Sequence, residues 1–96
     1  MIQEPLDGHA ARKLIQKILP ELNGVRFCTH ALDEMAKDCL EEVDVINVLR
    51  AGLITEPAEY KNGSWRYRVR ARNVFVVVTF RSESQITVIT TWRKFL

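Results

Sequence analysis

Four arginines, Arg66, Arg68, Arg70 and Arg72, stand at every second position of one segment. In an extended chain that spacing puts them on one face, about 6.5–7 Å apart along the strand. Aligning like charges costs repulsion, and a surface that needed only solubility could interleave glutamate or threonine. A guanidinium grips phosphate with two parallel hydrogen bonds, so the stripe suits an anionic partner. The plainer alternative is a solvated outer face or a guarded edge strand. Trp65 and Tyr67 alternate with the arginines and therefore point the other way, as core residues.

His30 is the second candidate. It follows Thr29, which suits the cap of a helix, so its imidazole falls in the first turn. The helix dipole there lowers imidazole basicity, and a histidine tuned near neutrality is the usual general acid or base. A half-buried histidine that merely packs is the alternative. His9 has no chemical context. Thr87, Thr90, Thr91 and Trp92 share the last strand, where alternation sends Thr90 and Trp92 to one face and Thr91 and Arg93 to the other. A hydroxyl beside arginines can bind a phosphate oxygen, although threonine in a strand also reflects β propensity. Cys28, His30 and Cys39 match no zinc spacing and lack a fourth ligand, so neither a metal nor another cofactor is expected.

The elements that must position these groups divide the chain in two. Asp7 suits the cap of a first helix running to about residue 19, with Leu14, Ile15, Ile18 and Leu19 forming its apolar stripe. Pro20 ends it, and Asn23-Gly24 makes a turn into a short strand of Val25, Arg26 and Phe27. The next helix should bury Leu32, Met35, Ala36 and Cys39. A third helix carries Val43, Ile46 and Leu49, opens on the acidic Glu41, Glu42 and Asp44, and stops at Gly52 as a C′ residue. From Leu53 the period changes to two. A short strand over 53–55 ends near Pro57, and Asn62-Gly63 signals a type I′ hairpin. An alternating strand covers 64–72, a nearly unbroken apolar strand 74–80 reads as central, and a last strand covers 85–92. Helices over about 7–52 followed by an antiparallel sheet over about 53–94 make one α+β domain, with the helices on one face of the sheet.

The chain has 96 residues, 47% of them hydrophobic, enough for one modest core. No apolar run is long enough to span a bilayer, the first residues lack the apolar stretch of a secretory signal, and two cysteines fit a reducing cytosol. Charge is unevenly placed. Residues 1–48 hold five Lys/Arg against nine Asp/Glu, a net of −4, and residues 49–96 hold nine against three, a net of +6. Such asymmetry suggests an anionic partner on one side, nucleic acid among the candidates.

The stretch FCTHALDEMAKDCLEEVDVINVLRAG, residues 27–52, resembles the bacterial domain family of unknown function numbered 4258. There a strand leads into an H-x-L-x-x-M helix, followed by a helix ending in L-x-x-G. The resemblance continues through the hairpin, the apolar strand and the VITTWRK ending, over about residues 25–94. That family is similar in fold to the RelE, ParE and MqsR-like toxins, a superfamily with many metal-independent endoribonucleases. The resemblance implies a toxin paired with a separately encoded antitoxin and acting on RNA. It implies a site of His30 for acid–base work, Arg66, Arg68 and Arg70 on phosphate, and Thr91 or Lys94 in support, with Arg72, Arg93 and Lys94 extending the RNA contact. In such a reaction a base takes the ribose 2′-OH proton and the oxygen attacks the adjacent phosphate. Arginines stabilise the added charge, and an acid protonates the departing 5′-oxygen. Glu34 and Asp38 stand where the family often has basic residues, and they are candidates to pair with the arginines. The alternative is a non-catalytic RNA- or protein-binding module on the same fold.

Overall fold

A computed structural model describes residues 2–94. Helix α1 (Gly8–Ile18) starts where Asp7 Oδ1 accepts from the Ala10 N–H at 2.8 Å, and it buries Ala11, Ile15 and Ile18. After a turn through Asn23, strand β1 (Val25–Phe27) leads into helix α2 (Thr29–Lys37). The cap of α2 is Cys28, not Thr29. Its sulfur accepts from the Ala31 N–H at 3.4 Å and donates to the Ile89 carbonyl at 3.1 Å, fastening the helix start to the last strand. With Thr29 inside the helix, the buried positions become Ala31 and Met35, whereas Leu32, Ala36 and Cys39 are exposed. Cys39, at φ 55°, then turns the chain out of the helix.

Helix α3 (Glu42–Ala51) opens with the Asp44 carboxylate accepting from the Glu41 N–H at 2.8 Å. Its buried face is Val45, Val48 and Leu49, one step round from the expected Val43, Ile46 and Leu49. Gly52 ends it with φ −75°, so the position does not need glycine for a left-handed turn. It needs glycine for space: a Cβ would stand 2.5 Å from the Val48 carbonyl oxygen and 2.7 Å from Val69 Cγ1. Two side chains of α1 satisfy carbonyls left open at the end of α3. Arg12 Nε donates to Gly52 O at 2.9 Å and Gln16 Nε2 to Arg50 O at 2.6 Å.

The sheet continues with β2 (Glu59–Lys61), β3 (Ser64–Ala71), β4 (Val74–Ser82) and β5 (Gln85–Arg93), in spatial order β1-β5-β4-β3-β2. Asn62 and Gly63, both at positive φ, make the expected tight hairpin between β2 and β3. The apolar strand β4 is central, as its composition required. The sheet is mixed rather than antiparallel, because β1 pairs with β5 in parallel. A parallel neighbour needs a long crossover, and here it includes two helices and three strands. Residues 53–55 form no strand; Leu53 makes a single two-bond bridge with Arg70. The described helices all contribute to one core with Tyr67, Val69, Val76, Val78, Phe80, Ile86 and Val88. The opposite face of the sheet is left without a helical layer.

Candidate nucleic-acid interface

Register decides which side chains share the uncovered face. Arg68 pairs with Val77 and Arg70 with Phe75, while Tyr67 and Val69 pair with Val78 and Val76 of the core. Across β4, Val77 meets Thr90, Phe75 meets Trp92 and Thr79 meets Thr87. The pairing skips Ile89, since Val78 is opposite Val88 and Val77 opposite Thr90. This β-bulge shifts the phase of the strand, as bulges do. It puts Thr90 and Trp92 beside the arginines and turns Thr91 into the core. Thr91 is fully buried, and its hydroxyl donates to the Phe75 carbonyl at 2.7 Å.

The arginines are supported from below. Phe75 and Trp92 stack at 5.0 Å with their planes 7° apart. The Arg68 guanidinium carbon sits 5.6 Å from the Trp92 ring centre, and that of Arg70 sits 6.0 Å from Phe75. Repulsion between neighbouring arginines about 7 Å apart is about 0.6 kcal/mol in water. An exposed cation–π contact returns about 0.5–1 kcal/mol, so the rings hold the charges in a row at little net cost. Arg66 is half-buried, and its Nε is shut away from solvent with no acceptor among the described residues. Arg66, Arg68, Thr90 and Trp92 line a concavity of about 200 Å³ together with Glu56, Glu59 and Lys61. Glu56 Oε2 lies 3.0 Å from Arg68 Nη1. Between the Leu53–Arg70 bridge and the Glu59–Arg66 pair the chain loops away from β3, and this loop carries Glu56.

Other sequence candidates lie elsewhere. Arg72 is not on the arginine strand face, because β3 ends at Ala71 and Arg72 takes φ 55° in the turn. Arg72 and Arg93 instead line a separate concavity under α3 with Asp44 and Asn47. Lys94 is exposed, and its N–H donates to the Asn73 carbonyl at 2.7 Å. His30 is exposed in the first turn of α2, a helix that packs on β5 from the core side. It therefore belongs to the helical layer, and the structure does not gather it with Arg68 and Arg70. Glu34 pairs with Lys37 at 3.2 Å, and Asp38 accepts from the Arg93 N–H at 2.9 Å, so neither reaches the arginine stripe.

Sequence reasoning missed two members of the face. Arg26 is opposite Thr87, and Arg81 Nε donates to the Thr87 hydroxyl at 3.3 Å. Arg26 lies between the half-buried Val25 and Phe27 in an alternating strand, and Arg81 follows the buried Phe80. That alternation was the available signal. The uncovered face thus carries five arginines from β1, β3 and β4.

Residues 27–93 match the family model described as a domain of unknown function, DUF4258. The chain belongs to this family. Among curated proteins and solved structures nothing matches it. The matched segment holds α2, α3 and the whole sheet except the first two residues of β1, so it includes nearly all of the arginine face. Among the described residues no helix is long and apolar enough to cross a membrane, and no three His, Cys, Asp or Glu side chains cluster as metal ligands do.

Proposed function

We propose that this chain binds single-stranded RNA on its helix-free sheet face. The observation that carries the reading is the row of Arg66, Arg68 and Arg70 beside the stacked Phe75–Trp92 pair, with Thr90 of β5 on the same face. Guanidinium edges suit phosphate oxygens. Guanidinium planes and the aromatic rings near them, 5.6 and 6.0 Å from the Arg68 and Arg70 guanidinium carbons, suit stacking by unpaired bases, a mode that duplexes do not permit. An acidic protein segment would use the edges but not the planes. Arg68→Ala is expected to weaken binding of a fluorescently labelled RNA oligomer and to flatten the salt dependence by about 0.7 in log–log slope. Equal binding by parent and variant would remove Arg68 from the interface.

A second proposal adds cleavage, as in the RelE-like toxins, with an antitoxin that holds the activity in check. Its support is the Glu59 carboxylate lining the same concavity as Arg66 and Arg68. A carboxylate facing guanidiniums can take the 2′-OH proton while the arginines stabilise the phosphorane charge. The attacking oxygen would then close a 2′,3′-cyclic phosphate as the P–O5′ bond breaks, and the departing 5′-oxygen takes its proton from solvent water. His30 is the other acid–base candidate, and it reaches this phosphate only if RNA bridges the edge of the sheet. Fragmentation of total RNA on induction, lost in Glu59→Gln and retained in His30→Ala, is the expected pattern. Intact RNA with the folded parent would leave binding alone.

A further inference from the structure

Arg26 and Arg81 converge from opposite sides of β5. β1 and β4 both neighbour β5, and Thr87 of β5 faces each of the two arginines. The concavity between them measures about 340 Å³ and is lined by Arg26, Phe27, Cys28, Arg81, Gln85 and Thr87. It contains two guanidinium groups, a hydroxyl and a carboxamide, and among the described residues no carboxylate lines it. By contrast, the concavity at Arg66 and Arg68 includes Glu56 and Glu59. Resting on the RNA-binding reading above, we propose that Arg26 and Arg81 form a second phosphate subsite for the same single-stranded RNA, which runs across the strands from β3 to β1.

The path follows from the sheet. β3 and β1 are separated by three strand spacings, about 14 Å. Between the two arginine groups lie Val77, Thr79 and Thr90, with Thr79 buried at the floor and Thr87 beginning the second group. Of these, Thr79 spends its hydroxyl on the Trp65 carbonyl at 2.8 Å, and Thr87 takes the Arg81 bond. The middle of the track is thus low and short of free charge, while both ends are cationic. One phosphate cannot occupy both ends, so RNA that spans them needs several nucleotides. A strand running along β3 alone would meet Arg66, Arg68 and Arg70 and leave Arg26 and Arg81 idle.

The test compares a dinucleotide with an RNA oligomer of about 8 nucleotides, within the length range one small domain covers. Binding is read by fluorescence anisotropy at several salt concentrations, for the parent, Arg68→Ala and the double variant R26A/R81A. The double variant is expected to lose less affinity for the dinucleotide than for the longer oligomer, because the dinucleotide can still seat its phosphate on Arg66, Arg68 and Arg70. For the longer oligomer its affinity falls, and its log–log salt slope is less steep by about 1.4, corresponding to two lost phosphate contacts. R26K/R81K keeps the charges and is expected to retain most of the slope, which separates lost contacts from a disturbed fold. If R26A/R81A binds the longer oligomer like the parent while Arg68→Ala weakens it, the second subsite is wrong and the RNA-binding reading stands. If the parent binds neither RNA, both fall together.

Discussion

Arg68 and Glu56 form an ion pair whose side chains are 41% and 58% exposed. At such exposure a pair contributes only about 0–1 kcal/mol. A phosphate with two oxygens in the plane of the guanidinium can therefore displace the glutamate. Glu56→Gln is expected to raise RNA affinity a few-fold while changing stability by less than about 0.5 kcal/mol; weaker binding would mean that Glu56 orients Arg68 productively. Tyr67 shows the opposite regime, a buried polar group whose partners matter. Its hydroxyl donates to Glu4 Oε2 at 2.9 Å and accepts from the Leu6 N–H at 3.0 Å, pinning the N-terminal segment to β3. Burial, reinforced by the Glu4 carboxylate, pushes its phenol from 10 up to about 12. The unfolded chain thus loses this proton first, so the contribution of Tyr67 is complete below pH 10 and fades as pH rises toward 12. Tyr67→Phe is expected to cost about 1–2 kcal/mol at neutral pH, since the Leu6 N–H loses its acceptor. Chemical denaturation should show the gap between variant and parent closing above pH 10; a gap that widens would contradict this account. The core role of Tyr67 was readable from alternation with the arginines. Its bonds to Glu4 and Leu6 were not, because they join positions some 60 residues apart.

Among the elements, those with strong local signals match their sequence patterns: the Asp7 cap, the Asn62-Gly63 hairpin and the central apolar strand. The departures share a physical cause, which is that tertiary contacts outrank local preference. Cys28 caps α2 because its sulfur also reaches Ile89, and no local pattern announces that partner. Moving the cap by one residue changes which face of the helix is buried. The bulge at Ile89 is set by pairing with β4 and decides that Thr90, not Thr91, faces the arginines. Gly52 was correctly recognised as a helix stop but for a different reason, the close approach of β3 to α3. Gly52→Ala should accordingly cost about 1–3 kcal/mol through overpacking. Two of the nearest atoms, the carbonyl oxygens of Val48 and Arg70 at 2.5 and 2.9 Å from the added Cβ, belong to the backbone and cannot swing aside. An unchanged melting temperature would show that α3 can shift on the sheet.

For the whole molecule, segregation of helices from sheet also segregates charge. The acidic half of the sequence supplies α1, α2 and most of α3, and the basic half supplies β2, β3, β4 and β5. That division was legible from the sequence, as was the α+β class. The parallel seat of β1 was not, since pairing between the first and last strands leaves no local trace. That seat brings Arg26 onto the same face as Arg66, Arg68 and Arg70, and enlarges a stripe into a field. A second basic group, Arg12 and Lys13, lies on α1 on the helical side. Both surfaces are basic, and RNA is expected on the sheet, where arginines adjoin the stacked Phe75–Trp92 pair. The most direct test is an NMR titration of the isotopically labelled protein with single-stranded RNA, following each backbone amide. Shifts are expected at residues 66–70, 75–77 and 90–92, with α1 and the outer surface of α3 unmoved. Shifts confined to α1, or none at all with RNA in excess, would contradict RNA binding on the sheet.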